Sequence, residues 1–141
     1  MVELITVVVI IGILAAVTAP RFFTRSVFDS RGFYDQVIST LRYAQKSAIA
    51  QRGFVCVAFS ANSVTLTTGT TAACGTPLAG PTGTAPYTVS SSQTTFSGGV
   101  APLPATFYFD ALGRAVSPPG SISVDGYASS ITIEAETGYV H

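Results

Sequence analysis

Residues 4–19 read LITVVVIIGILAAVTA, sixteen residues without a charge. Apolar side chains would surround every face of a helix formed by this stretch, so it has no amphipathic stripe. With Met1 and Val2 it approaches the roughly 20 residues needed to cross a bilayer. The stretch therefore predicts a membrane span or a helix that is buried on all sides.

Two simpler interpretations of this stretch remain open, and both fit less well. A cleavable secretory signal would have a basic segment before its apolar core, whereas this chain has the acid Glu3 there, and Pro20 directly follows the small residues that could be cleaved. A plain single-span anchor leaves Glu3 unexplained, because an unpaired carboxylate at the edge of hydrocarbon costs several kcal/mol.

The next segment changes its periodicity. Over residues 26–52, apolar residues recur at spacings of three and four, which predicts an amphipathic helix that ends at Gly53. These residues are Phe33, Val37, Leu41, Ala44 and Ala48. The first 52 residues are therefore expected to form one long, bent helix whose second half packs an apolar face on another layer.

The other layer is predicted to be an antiparallel sheet. Residues 54–59 and 63–68 indicate a hairpin joined by residues 60–62, and later strands are expected at 106–109, 122–124 and 131–136. Residues 69–105 are rich in Thr, Ser, Gly and Pro and predict a long, surface-exposed loop region with one or two short strands. A helix followed by about five to seven strands predicts an α+β fold.

Charge is scarce and unevenly placed. Seven Lys or Arg balance seven Asp or Glu, only 10% of residues are charged, and none lies between Arg52 and Asp110. Like-charge repulsion keeps soluble proteins apart. A composition with so little charge is therefore more typical of a subunit that associates with other copies than of a cytosolic monomer.

The chain has two cysteines, Cys56 and Cys74. If the globular part is exported, a disulfide between them is the default expectation. Two reduced thiols in a cytosolic core are the alternative.

The N-terminal residues Met1 to Ile5, the aliphatic run that contains Gly12, and its end at Ala19-Pro20-Arg21-Phe22 resemble the N-terminus of type IV pilins and type II secretion pseudopilins. Members of this family usually carry two further residues before this point. The resemblance implies a mature protein without its leader, and it leaves open whether the first two residues of the mature protein are absent as well. It also implies the type IV pilin fold, with residues 1–25 as membrane anchor or filament core and residues 26–141 as the head. Within the head, helix 26–52 precedes sheet and loops over 53–141.

Three later segments look like minor pseudopilins of type II secretion (the H-type of the general secretion system) and pilins of the mannose-sensitive haemagglutinin and transformation systems. They are LRYAQKSAI at 41–49, FYFD at 107–110 with Gly113-Arg114, and ETGYV at 136–140. The choice between a filament-forming and a minor, assembly-priming subunit stays close to even.

The resemblance implies roles for three residues. Glu3 would pair with the N-terminal amine of a neighbouring subunit, which selects correctly staggered copies. The helix would unwind between Gly12 and Pro20 in the assembled filament, with a kinked but continuous helix as the alternative. The implied partners are copies of the same chain in a helical filament, inner-membrane assembly machinery, and the membrane before assembly. The implied location is the bacterial cell surface, with a precursor pool in the inner membrane.

The residues offer little for catalysis, and no cofactor, catalytic residue or metal ligand is predicted. The single histidine, His141, is expected on a frayed tail, and Glu134 and Glu136 are expected on one solvated face of a strand. No phosphate loop or metal-ligand spacing is present.

Two binding functions remain as alternatives. DNA binding needs a clustered basic surface, and the resemblance implies that a DNA-binding member would carry arginines in its C-terminal segment. Residues 138–141 contain no arginine, so nucleic acid is not an expected partner. Adhesion or display of O-linked sugars could use the uncharged Ser- and Thr-rich residues 60–97.

Overall fold

The computed structural model describes residues 1–18, 25–96 and 103–141. It contains two helices, α1 (Val2–Thr18) and α2 (Arg25–Gln51), and eight strands in these ranges. The strands are β1 (Phe54–Ser60), β2 (Ser63–Gly69), β3 (Thr76–Pro77), β4 (Tyr87–Ser90), β5 (Phe107–Phe109), β6 (Ala115–Val116), β7 (Ile122–Ser123) and β8 (Ser130–Ile131). The predicted α+β class, an N-terminal helix with an antiparallel sheet, is confirmed at this level.

One part of the helix prediction stays open. The continuity of a single helix over the first 52 residues and the division at residue 25 both depend on residues 19–24. These residues, including Pro20, lie outside the described part of the chain.

Helix α2 buries the stripe that its periodicity predicts. All five apolar positions at three- and four-residue spacing are at most 3% exposed, namely Phe33, Val37, Leu41, Ala44 and Ala48. They pack on the sheet through β1, β2, β4 and β5. Burying one face of a helix is what stabilises it in a protein, since isolated helices are marginal in water.

The end of α2 differs by one residue from the prediction. Arg52, not Gly53, adopts the left-handed conformation, with a φ of 50°. The Arg52 N–H donates to the Ile49 carbonyl (3.2 Å) and the Gly53 N–H to the Ala48 carbonyl (3.1 Å). This pair of bonds is the Schellman arrangement, which satisfies carbonyls at the helix end.

The main sheet has six strands in the order β3-β2-β1-β5-β6, and β4 also pairs with β2. The predicted β1–β2 hairpin is confirmed, although its loop is Ala61-Asn62, because Ser60 already pairs with Ser63. One face of the sheet lies under α2 and is buried, with Val55, Val57, Val64, Leu66, Phe107 and Phe109 on it. The opposite face carries Cys56, Thr65 and Tyr108, each partly exposed.

The middle of the chain is more buried than predicted. One or two short strands were expected within residues 69–105, and two are present, β3 and β4. The expected surface exposure is wrong at Leu78, Thr94 and Phe96, which are at most 4% exposed. Phe96 packs on Phe33 of α2 (5.3 Å between ring centroids) and on Phe59 of β1 (5.4 Å). This segment therefore completes the core beside the first turns of α2.

The C-terminal segment forms a second, smaller pairing. Strands β7 and β8 are antiparallel, and Ile133 bridges to Val140. The strand predicted over 131–136 is interrupted by a turn, in which the Gly138 N–H donates to the Glu134 carbonyl (2.8 Å). Gly138 has a φ of 65° there, and a methyl group on it would collide with the Gly113 carbonyl oxygen.

Candidate assembly surface

Helix α1 exposes apolar side chains in every direction. Its ten large aliphatic residues from Val2 to Leu14 are each between 50% and 75% exposed. Consecutive residues from Val7 to Ile11 all belong to this set, and five consecutive positions pass around the full circumference of a helix. Covering these side chains would contribute on the order of 10–20 kcal/mol before the entropic cost of association. Burial of α1 against partners on every side would therefore be favourable in free energy.

Glu3 lies in the first turn of α1. Its carbonyl accepts a hydrogen bond from the Thr6 hydroxyl (2.8 Å). Its carboxylate is exposed and has no hydrogen-bond or ion-pair partner in the described ranges. An acid in a first turn is favoured by the helix dipole by a few tenths to 1 kcal/mol. That local benefit is small beside the cost of placing the same carboxylate, unpaired, in an apolar environment.

Gly12 lies inside the continuous part of α1, which runs to Thr18. A methyl group on Gly12 would meet no atom within 4 Å outside the local helix backbone. No contact described in this chain therefore requires glycine, although glycine costs about 1 kcal/mol relative to alanine in a helix. The predicted unwinding between Gly12 and Pro20 concerns assembled copies and stays a prediction.

None of the helices within the described ranges is long and apolar enough to cross a membrane.

The predicted disulfide is present between Cys56 and Cys74. Cys56 lies on the face of β1 opposite α2, and Cys74 follows the turn after β2. The Cys74 N–H donates to the Thr71 carbonyl (3.3 Å), and Cys74 has a positive φ of 33°. The bond thus fixes the segment between β2 and β3 to the middle of the sheet.

Two polar residues of α2, not singled out as site residues from the sequence, attach this helix to the C-terminal segment. Arg42 donates from Nε (3.3 Å) and Nη2 (3.0 Å) to the Val140 carbonyl. Gln45 Nε2 donates to the carbonyls of Gly113 (3.0 Å) and Thr137 (2.9 Å). Helix α2, the β5–β6 turn and the C-terminal segment therefore meet at one corner of the head. The sequence signal for these two residues was their place in the segment LRYAQKSAI at 41–49.

The acids and the histidine of the head take part in local structure. The expected frayed tail is wrong, because His141 exchanges two backbone hydrogen bonds with Thr132 (2.7 and 3.0 Å) and stacks on Tyr139. Glu134 accepts a hydrogen bond from the Thr137 hydroxyl (2.9 Å) within the turn. Glu134 and Glu136 were expected on one face of a strand. This expectation is wrong, because Glu136 lies in the turn that follows Glu134. Among the residues described, no three His, Cys, Asp or Glu side chains are placed to hold a metal ion.

Two titrating groups of the head are shifted by their surroundings. Burial alone would raise the pKa of Asp110, but hydrogen bonds from the Arg114 backbone, the Arg114 side chain and the Leu112 backbone lower this pKa below its ordinary 3.8. The Asp110–Arg114 pair closes the β5–β6 turn with a distance of 2.9 Å from Nε to Oδ2. Burial raises the pKa of Tyr34, and the nearby Tyr127 and Asp35 add to that effect.

No known protein-family model, curated protein or solved structure matches this chain.

Proposed function

We propose that this chain is a structural subunit of a type IV pilus or pilus-like extracellular filament and that it polymerises through α1. One observation carries the proposal. The large aliphatic side chains of α1 are exposed on every side, and the carboxylate in its first turn has no partner in the described ranges. A helix with this surface needs apolar cover all round and one cationic partner near its start.

Two environments supply that cover in the proposed life of the subunit. Before assembly α1 lies in the inner membrane, and after assembly it lies among the α1 helices of neighbouring copies. In the second environment the N-terminal amine of a neighbour neutralises Glu3. The pair selects the correct stagger between copies, because a buried charge without its partner costs about 3–5 kcal/mol.

The head supports an extracellular location. A disulfide such as Cys56–Cys74 persists in oxidising compartments and is rare in the cytosol. No residue from Gly53 to Phe109 carries a charged side chain, which removes the repulsion that keeps neighbouring heads apart.

A second candidate function is that of a minor pilin or pseudopilin, which primes filament assembly for type II secretion, adhesion or DNA uptake. The observation in its favour is the corner of the head at which Gln45 joins Gly113 and Thr137. Those residues belong to the segments that resemble minor pseudopilins. Under this alternative the chain would be found at a filament end and in few copies.

The test replaces Glu3 by glutamine in the full chain, in cells that carry pilus assembly machinery. Filament yield should fall at least tenfold, because an uncharged side chain can no longer form the ion pair that selects the stagger. The membrane-stored pool and the melting temperature of the head should stay unchanged. Glu136→Gln is the matched control, because Glu136 is an exposed acid of the head. Electron microscopy with immunoblotting of sheared surface material measures the yield.

Normal filaments from Glu3→Gln would contradict the pairing role. Absence of filaments from the unmodified chain, with the protein present in the membrane, would contradict the main proposal. Labelling confined to filament ends would favour the minor subunit.

A further inference from the structure

Two neighbouring apolar side chains of the head remain outside its core at the start of α2. Val27 and Phe28 lie in the first turn of this helix and are 57% and 73% exposed. We call them the base patch. The stripe that α2 buries against the sheet begins only at Phe33, so the base patch contributes nothing to the core. Removing these side chains from water would therefore be favourable wherever a partner covers them.

The chain connects the base patch closely to the apolar surface of α1. Only six residues lie between Thr18, the end of α1, and Arg25, the start of α2. Because an extended chain rises at most about 3.6 Å per residue, the start of α2 lies within about 25 Å of the end of α1. The next exposed large hydrophobic residue along the described chain is Ile49, about six turns further along α2. The base patch is therefore the apolar part of the head that best reaches the surroundings of α1.

The charges around the base patch favour an anionic surface by a small margin. Residues 21–35 contain three arginines and two aspartates, which gives a net charge of +1 (three minus two). Arg31 is exposed, and among the described residues it has no ion-pair partner. Arginine near a membrane is attracted to anionic lipids and extends its charged end toward their headgroups. Asp29 and Asp35 weaken this attraction, so the apolar side chains must provide most of the contact.

The small size of the base patch favours a membrane over a protein as its partner. A stable protein interface buries about 800 Å² on each side, and two side chains supply only a small part of that area. A membrane that already holds α1 does not need so large a contact. The anchor keeps the base patch near the lipid surface at a high effective concentration, so a weak contact is populated.

We propose that the base patch inserts into the headgroup region of an anionic bilayer while α1 lies in that bilayer. The inference rests on the proposed function, since it describes the stored subunit before assembly. Val27 and Phe28 enter the boundary between headgroups and acyl chains, and Arg31 faces the lipid phosphates. The contact turns the start of α2 toward the membrane and its far end away from it, so the stored head has a fixed orientation.

The test places one fluorescent label on the full chain in lipid vesicles. Val27→Cys carries an environment-sensitive label attached through its thiol, whereas Cys56 and Cys74 are joined in a disulfide and do not react. The vesicles contain phosphatidylcholine with about one quarter phosphatidylglycerol, and a quencher is attached to the lipid headgroups. The label at position 27 should be blue-shifted and strongly quenched. Phe28→Cys provides a second labelling site if Val27→Cys does not fold.

The matched control carries the same label on Leu112→Cys. Leu112 is 74% exposed and therefore resembles Phe28 in accessibility and in apolar character. It adjoins Gly113, which packs on Ile49 near the far end of α2. That end is about 30 Å from the base patch along the helix. Quenching at position 27 should be roughly threefold stronger than at position 112, because only the base patch reaches the headgroups.

Two further variants separate the apolar contact from the charge. Phe28→Ser, added to Val27→Cys, should reduce the quenching both in these vesicles and in vesicles of phosphatidylcholine alone. Arg31→Gln should reduce it only in the vesicles with phosphatidylglycerol, because phosphatidylcholine has no net charge. An equal effect of Arg31→Gln in both vesicle types would overturn the preference for anionic lipid.

A label on Val8→Cys in α1, with a quencher deep in the acyl chains, reports whether α1 enters the bilayer. Quenching at position 8 together with equal quenching at positions 27 and 112 would overturn the membrane contact and leave the proposed function standing. A label at position 27 that is blue-shifted but not quenched would show that a protein surface covers the base patch, which also overturns the contact. Absence of quenching at position 8 would overturn the membrane-stored stage of the proposed function together with the contact.

Discussion

The two helices of this chain have opposite relations to the rest of the molecule. α1 exposes all ten of its large aliphatic side chains from Val2 to Leu14, whereas α2 buries an apolar stripe to 3% exposure or less. Both are regular helices, so the difference lies in how apolar residues are distributed around them. A stripe indicates a partner on one side, which the sheet of the same chain supplies. An apolar surface all round indicates partners that one chain does not supply.

The polar groups of the two helices differ in the same way. Arg42 and Gln45 of α2 donate to backbone carbonyls of the C-terminal segment and the β5–β6 turn. The carboxylate of Glu3 in α1 has no corresponding partner in the described ranges. α2 is thus completed by its own chain, and α1 is the part that we expect other copies to complete.

The largest expected effect tests this contrast by shortening one side chain to alanine in each helix. Leu41→Ala, at a fully buried position of α2, should lower the free energy of unfolding of the head by about 2–5 kcal/mol, because it removes buried methyl groups and leaves a cavity. Ile10→Ala, at an exposed position of α1, should leave that free energy nearly unchanged, as surface substitutions usually do. Chemical denaturation of the full chain in detergent, followed by tyrosine fluorescence, measures both. Equal losses from the two variants would show that α1 is packed on the head in solution.

The next largest effect tests whether the disulfide stabilises the head without affecting α1. Replacing both Cys56 and Cys74 by serine should lower the free energy of unfolding by about 3 kcal/mol, because the unfolded chain is then no longer closed into a loop. The helical signal of α1 should persist in detergent after the head unfolds. Reduction of the unmodified chain is the matched comparison, and it should give the same loss. An unchanged melting temperature in the double variant would contradict a stabilising role of the disulfide.

The sequence predicts well the elements whose patterns are long and local. The stripe of α2, the β1–β2 hairpin and the Cys56–Cys74 bond were all predicted, because periodicity, turn residues and cysteine scarcity are visible along the chain. The end of α2 was predicted one residue too late, since Arg52 already adopts the left-handed conformation that glycine usually takes at a helix end.

What sequence reasoning missed depends on contacts between distant residues. Phe96 is buried because it meets Phe33 and Phe59, which lie far from it along the chain. The Gln45 bonds to two turns likewise join residues that are 68 and 92 positions apart. A polar loop composition gives no sign of such pairings. For the candidate site, the sequence located Glu3 and Gly12, whereas the bonds that join Arg42 and Gln45 to the C-terminal segment became visible only from the structure.

The smallest expected effect compares two carboxylates, one in each part of the molecule. Asp110 is buried and accepts hydrogen bonds from Leu112 and Arg114, whereas Glu3 is exposed in α1. Because the folded head holds the pKa of Asp110 below its ordinary 3.8, this group stabilises the head above that value. Its contribution is lost as the pH falls from about 3.8 through the lower folded pKa. Asp110→Asn should therefore cost about 1 kcal/mol at pH 7, a difference that narrows as the pH falls below 3.8.

Denaturation at a series of pH values measures how the difference in free energy of unfolding between Asp110→Asn and the unmodified chain narrows. Glu3→Gln is the control. Glu3→Gln should keep the pH dependence of the unmodified head, because Glu3 has no partner in the described part of the head. A constant difference between Asp110→Asn and the unmodified chain down to pH 2 would contradict the lowered pKa. A pH dependence altered by Glu3→Gln would instead mean that Glu3 contributes to the stability of the head. α1 would then interact electrostatically with the head of its own chain, in addition to the contacts with other copies that we expect.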